Sequence, residues 1–161
     1  MSDIIHGFDP IFDSNSQVLI LGSFPSVKSR EIDFYYGNQQ NRFWKMLCDY
    51  FNVSLLESVE EKKSFVLKHG IALWDIVTEC EIVGSQDSKI KNYKIADVFP
   101  LISKGKIKAI LINGKTAFKI FREKYEDIST PYYLMPSTSP ANPRYKQDVW
   151  HNILDMVFGG E

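Results

Sequence analysis

Apolar residues run along this chain in two rhythms. Gln17-Val18-Leu19-Ile20-Leu21-Gly22 is short, continuous and aliphatic, and a glycine and a proline close it, which predicts a buried strand. Lys108-Ala109-Ile110-Leu111-Ile112-Asn113 repeats the pattern. Ile71-Ala72-Leu73-Trp74 and Tyr132-Tyr133-Leu134-Met135 predict two shorter strands. Elsewhere the apolar spacing is helical. Across 41–51, Phe43, Leu47, Tyr50 and Phe51 share one stripe, with Trp44 and Met46 beside it. A helix over 57–68 is closed by His69-Gly70. Further helices are predicted over 94–104, 116–124 and 145–157. The first fifteen residues are polar and turn-rich, 23–30 reads as a loop, and 79–93 as polar and irregular.

Strands that are apolar on both faces and alternate with helices predict an α/β fold. The expected form is a three-layer α/β/α sandwich around a short, mostly parallel central sheet. Residues 1–161 fit one domain. A chain of this length buries roughly two-thirds of its unfolded surface, so no disulfide or metal is needed for stability. In such sheets ligands bind beyond the carboxyl ends of the strands. The loops after Leu21, Trp74, Ile112 and Met135 are therefore where chemistry is expected.

Charge narrows the classes. Nineteen Lys and Arg against twenty Asp and Glu leave a net charge of −1, which excludes coating of nucleic acid by bulk charge but not a local basic face. Cys48 and Cys80 stand apart with no paired spacing, and His6, His69 and His151 are scattered. The expectation is buried thiols, surface or capping histidines, and no metal site. Asp3, His6 and Asp9 interrupt any leader-like apolar run, and no run is long enough to span a bilayer, which predicts a cytoplasmic protein without a membrane partner. No cofactor is expected.

Ile112-Asn113-Gly114-Lys115-Thr116 lacks the upstream glycine and spacer of a phosphate-binding loop, so Asn113 is assigned only to the lining of the strand ends. No Ser/His/Asp triad is legible. Two loops are more informative. Gly22-Ser23-Phe24-Pro25-Ser26 and Met135-Pro136-Ser137-Thr138-Ser139-Pro140 are small, proline-stiffened and hydroxyl-bearing, suited to holding phosphate oxygens. Both also suit plain strand-to-helix turns. Between them, the segment 34–44 gathers aromatics, carboxamides and Arg42. Aromatics stack bases and carboxamides read base edges or hold a water. Phe43 and Trp44 are assigned to the core, and one of Asn38 and Asn41 to a helix cap.

Leu21 to Ser26, Tyr35-Tyr36-Gly37-Asn38, Asn41-Arg42-Phe43-Trp44, Gly70 to Asp75 and Pro136 to Asn142 together resemble the hypoxanthine-DNA (deoxyinosine) glycosylases, a branch of the uracil-DNA glycosylase superfamily. The resemblance implies a monofunctional enzyme on DNA containing a deaminated base, acting without metal or lysine Schiff base. The wider superfamily has an acidic or amide residue before the proline of its first motif, to position water. Here that residue is Phe24, and the second motif opens with Met135 rather than His or Asn. The hypoxanthine branch uses an Asn further along, which implies Asn41, with Asn38 as the alternative. Asn41-Arg42-Phe43-Trp44-Lys45 is also similar to a segment of the mismatch-specific uracil-DNA glycosylases that follows the base-stacking aromatic, which implies Tyr36 for stacking.

With the resemblance, Gly22, Ser23, Phe24, Pro25, Ser26 and Tyr36 are assigned to the base, with Asn113 from the strand ends and with Asp75, for which a helix cap is the alternative. Ser137, Thr138, Ser139 and Asn142 are assigned to the DNA backbone, and Lys28, Arg30, Arg42 and Arg144, in or beside these loops, to a basic face on it, with a solvated surface as the alternative for each cation. Asp87 and Ser88 fall in a matching stretch without an assigned role. The protein is expected to be a monomer. A uracil- or mismatch-specific enzyme and a non-catalytic nucleic-acid-binding module of the same fold are the competing readings.

Overall fold

A computed structural model describes residues 4–82 and 90–159, so Asp87 and Ser88 lie outside the described residues. In chain order the elements are β1 (Ile4–His6), β2 (Val18–Gly22), α1 (Val27–Ile32), α2 (Phe43–Phe51), α3 (Val59–Lys68), β3 (Ile71–Asp75), β4 (Val77–Ile82), β5 (Ile90–Ile95), α4 (Phe99–Lys104), β6 (Ala109–Asn113), α5 (Lys115–Tyr125), β7 (Tyr132–Met135) and α6 (Gln147–Phe158). The four strands expected from their aliphatic runs form one parallel sheet in the order β3-β2-β6-β7.

Pleating sends alternate residues of β2 into two cores. Val18 and Ile20 pack with Phe43 and Leu47 of α2, Phe65 of α3, and Trp150 and Leu154 of α6. Leu19 and Leu21 pack with Leu101 of α4 and with Ile120 and Phe121 of α5. All four β2 side chains are fully buried. Each contributes on the order of 1.5–3 kcal/mol by leaving water. Phe43 and Trp44 are core residues, as expected, and Cys48 and Cys80 are buried thiols. His69 caps α3, and His6 is exposed beside Glu79.

Three expectations are corrected. The loop over 23–30 contains α1, which starts where the Ser26 hydroxyl accepts from Ser29 N at 3.1 Å. The stretch over 79–93 is not irregular in its described part. There β4 and β5 pair antiparallel, with β1 on the other edge of β4. Charged residues hid those strands, yet Glu79 sits opposite Lys94 in the ladder and the two form an ion pair. Val77 and Cys80 of this small sheet join the core beneath α4 and α5. One outer layer of the sandwich is therefore part helix and part antiparallel sheet. Last, the helix expected over 94–104 starts at Phe99, after β5 has ended and where Pro100 suits the first turn. Among the described residues no helix is long and apolar enough to cross a membrane.

Candidate active site

Register brings the carboxyl ends of the parallel strands together. Gly22 lies opposite Asp75, and Asn113 opposite Met135. Beyond these ends lies a cavity of about 380 Å³. Residues 22–26 line one side, and residues 137–141 another. Tyr36, Asn38, Asn41, Asp75 and Asn113 complete it. Its volume falls in the lower part of the range usual for small-ligand sites.

Gly22 is required by crowding. A Cβ there would stand 2.5 Å from Asp75 Oδ1 and 3.1 Å from the Tyr36 hydroxyl. Asp75, at 5% exposure, is a buried acidic residue among those that line the cavity. Tyr36 adopts a left-handed backbone, with φ at +54°. That conformation is costly for a bulky residue and persists only where its surroundings fix it. Its ring stacks on Phe43 with centroids 4.0 Å apart, and Gly37 N donates to Ser29 Oγ at 2.9 Å to close the turn. Burial, and next the Asp75 charge, push the Tyr36 hydroxyl far above its ordinary range, while the Asn113 side chain pulls the other way. The hydroxyl is therefore a neutral donor at physiological pH.

Asn41 Oδ1 accepts from Phe43 N at 2.9 Å in a turn that leads into α2, but the N-cap position is Arg42 and no side chain caps the helix, so the expected asparagine cap is not formed. Asn38 Oδ1 accepts from Gln40 N at 2.9 Å, and its carbonyl accepts from Asn41 N. Each amide is thereby held by its oxygen. Among the described residues neither amide nitrogen has a protein acceptor.

The 136–143 loop is bound to the sheet and to itself. Thr138 N donates to Asn113 Oδ1, and Asn113 Nδ2 donates to Thr138 Oγ1, both at 3.0 Å. Ser137 Oγ accepts from Ser139 N, and Ser139 Oγ accepts from Ala141 N. Both hydroxyls act as acceptors there, which leaves their own hydrogens to give to an anion. Asn142 Nδ2 returns to Ser137 O at 2.9 Å, and Asn142 Oδ1 accepts from Arg144 N. Arg42 reaches the same loop through its backbone N–H and its guanidinium.

The family model of the uracil DNA glycosylase superfamily matches residues 10–154. The chain belongs to the uracil DNA glycosylase superfamily. A Methanosarcina acetivorans protein named hypoxanthine DNA glycosylase is 35% identical over 90% of this chain and 92% of its own length. A protein of the same name from Methanosarcina barkeri is 34% identical over 68% of this chain and 70% of its own. A solution NMR structure of a candidate uracil DNA glycosylase from Methanosarcina acetivorans superposes with a TM-score of 0.80 and 32% identity. It covers 96% of this chain and 99% of the other.

Within this superfamily fold the structure places the sequence-assigned residues unevenly. Gly22, Ser23, Phe24, Pro25, Ser26, Tyr36, Asp75 and Asn113 all line the cavity, as do Asn38 and Asn41. Phe24 is 6% exposed and belongs to the second core, so its side chain offers no group to hold a water. The Asn113 amide is committed to Thr138. Thr138 also lines the cavity but is fully buried, and its hydroxyl accepts from Asn113 Nδ2. Asn142 likewise uses its amide to close the loop. Ser137 and Ser139 line the cavity, and Arg144 is exposed. Lys28 is exposed and faces Glu31 at 3.7 Å, and the Arg30 guanidinium lies 6.0 Å from the centre of the Phe24 ring. Sequence reasoning missed Ser29, which lines the cavity and holds the Tyr36-Gly37 turn. The serine pair Ser26 and Ser29, three apart at a helix start, is the signal that finds it.

Proposed function

We propose that this chain is a monofunctional DNA glycosylase that takes deoxyinosine out of the duplex and hydrolyses its N-glycosidic bond, leaving an abasic site. We further propose that it acts as a monomer in the cytoplasm. The observation that carries the reading is the joint placement of Tyr36 and Asn41 at one cavity beyond the sheet, with Phe24 buried where other members of the superfamily place a water-holding group. The names of its relatives support the choice of hypoxanthine.

Extruding a base costs a few kcal/mol, and least when it is mispaired, which favours a deaminated purine. The Tyr36 ring, backed by Phe43, provides a stacking surface already fixed before binding. Asp75 among the lining residues offers an acceptor suited to the N–H of a lactam edge. The bond between C1′ and the purine nitrogen breaks with its electron pair leaving on the purine. A water held by Asn41 adds its oxygen to C1′, and its proton ends on the departed base. A neutral amide orients water but is a poor base, so fixed dipoles around the leaving purine supply much of the acceleration.

Single-turnover release of hypoxanthine from a deoxyinosine duplex tests this. Asn41→Ala is expected to slow release by about a hundredfold or more, the usual scale for losing one positioned polar group, with DNA affinity little changed. Asn41→Asp keeps an acceptor for Phe43 N and shows whether the loss is one of folding. Unchanged release in Asn41→Ala overturns the assignment.

A further inference from the structure

Arg42 has the residue type and position of a phosphate contact, but its bonds run inward. Its backbone N donates to Thr138 O at 3.0 Å, and its Nε reaches the same oxygen at 3.4 Å. One terminal guanidinium nitrogen donates to both Ser139 O and Asn142 O, the latter at 2.8 Å. The guanidinium carbon lies 4.4 Å from the centre of the Tyr145 ring. One half-buried cation therefore ties together three carbonyls of the 136–143 loop and the residue that leads into α6. The same residue immediately follows Asn41 and is the N-cap position of α2.

We propose that Arg42 is a positioning residue, a strut that sets the 137–142 loop against the Asn38–Asn41 segment, and not a ligand of a DNA phosphate. Carbonyl oxygens that converge on one point repel each other, and a planar guanidinium with several donors in fixed directions relieves this. A lysine carries the same charge but is a point donor on a flexible stem, and cannot reproduce the fork. The loop amides that Ser137, Ser139 and Asn142 hold then keep the geometry that the strut imposes. The proposal rests on the DNA-binding reading for its functional consequence, but the strut itself is a property of the free protein.

The test pairs two readouts on wild type, Arg42→Gln and Arg42→Lys. In the free protein, amide hydrogen exchange is followed across 136–146. The expected result is faster exchange in that segment for both variants, with the parallel sheet unchanged. With duplex DNA, affinity is measured against salt. Each phosphate neutralised contributes roughly 0.9 to the slope of log K against log salt. The strut predicts weaker binding at every salt concentration with an unchanged slope, and base release slowed at least tenfold in both variants. A slope reduced by about 0.9 in Arg42→Gln, whatever the loop does, overturns the proposal. So does Arg42→Lys with wild-type release, because charge alone would then suffice. So does unchanged exchange across the loop. If wild type binds no DNA, the glycosylase reading fails, and the exchange result still decides the strut.

Discussion

Gly22 ends β2 without a side chain, and the space that a methyl group would take is already filled by Asp75 and Tyr36. Gly22→Ala is expected to destabilise the protein by about 1–3 kcal/mol, as overpacking of a close-packed site does. Asp75 or Tyr36 must move to admit the methyl, so base release is expected to fall more than tenfold. Denaturant unfolding and single-turnover release check both, and a variant with wild-type values in each contradicts the crowding. At this scale the sequence shows residue type but not commitment. Asn41, Thr138 and Arg42 each have a polar group that could meet DNA. Asn41 uses only its oxygen, on Phe43 N, whereas Thr138 is buried against Asn113. Arg42 bonds to carbonyls 96 to 100 residues away, a separation that no local pattern reveals.

Elements whose signal is continuous aliphatic burial were legible, because burial on both faces leaves little room for polar residues. β2, β3, β6 and β7 follow their apolar runs to within a residue. β4 and β5 were not, because their cross-strand charges resemble a solvated loop until the partner strand is known. α1 is only six residues long and carries too little periodicity to separate it from a loop. The link between β6 and the loop after β7 is the Asn113–Thr138 pair. Thr138→Val keeps the shape but leaves Asn113 Nδ2 without its acceptor, and Thr138→Ser keeps the bond. The expected cost of the valine variant is about 1–3 kcal/mol, with the serine variant closer to wild type in thermal unfolding. Equal stability of the two variants contradicts the role given to this pair.

At the scale of the whole molecule, alkaline pH addresses several buried or acid-paired tyrosines at once. Burial first, and then Asp155, push Tyr50 up to about 12. The Glu123 hydrogen bond first, and then burial, push Tyr93 up to about 12. Burial pushes Tyr145 up to about 12 against the opposing charge of Arg42. Tyr35 and Tyr36 are raised as well, by burial first and then by Asp75. Their unfolded value is near 10. Above that pH the unfolded chain loses protons that the folded chain keeps. The stability these groups contribute is therefore complete below about pH 10 and is lost as pH rises through the folded values. Tm is expected to fall steadily above pH 10, and a flat alkaline limb contradicts this.

The cavity itself belongs to the whole molecule too. Its site loops hang from strand ends that only the sheet order brings together, so the resemblance of scattered motifs preceded any view of their geometry. The most direct test of the account uses labelled duplexes carrying one deoxyinosine or one deoxyuridine, each opposite all four bases, followed by alkaline cleavage of abasic sites. The account predicts strong cleavage of the deoxyinosine set and little of the deoxyuridine set. Preferential release of uracil, or release of neither base, contradicts it.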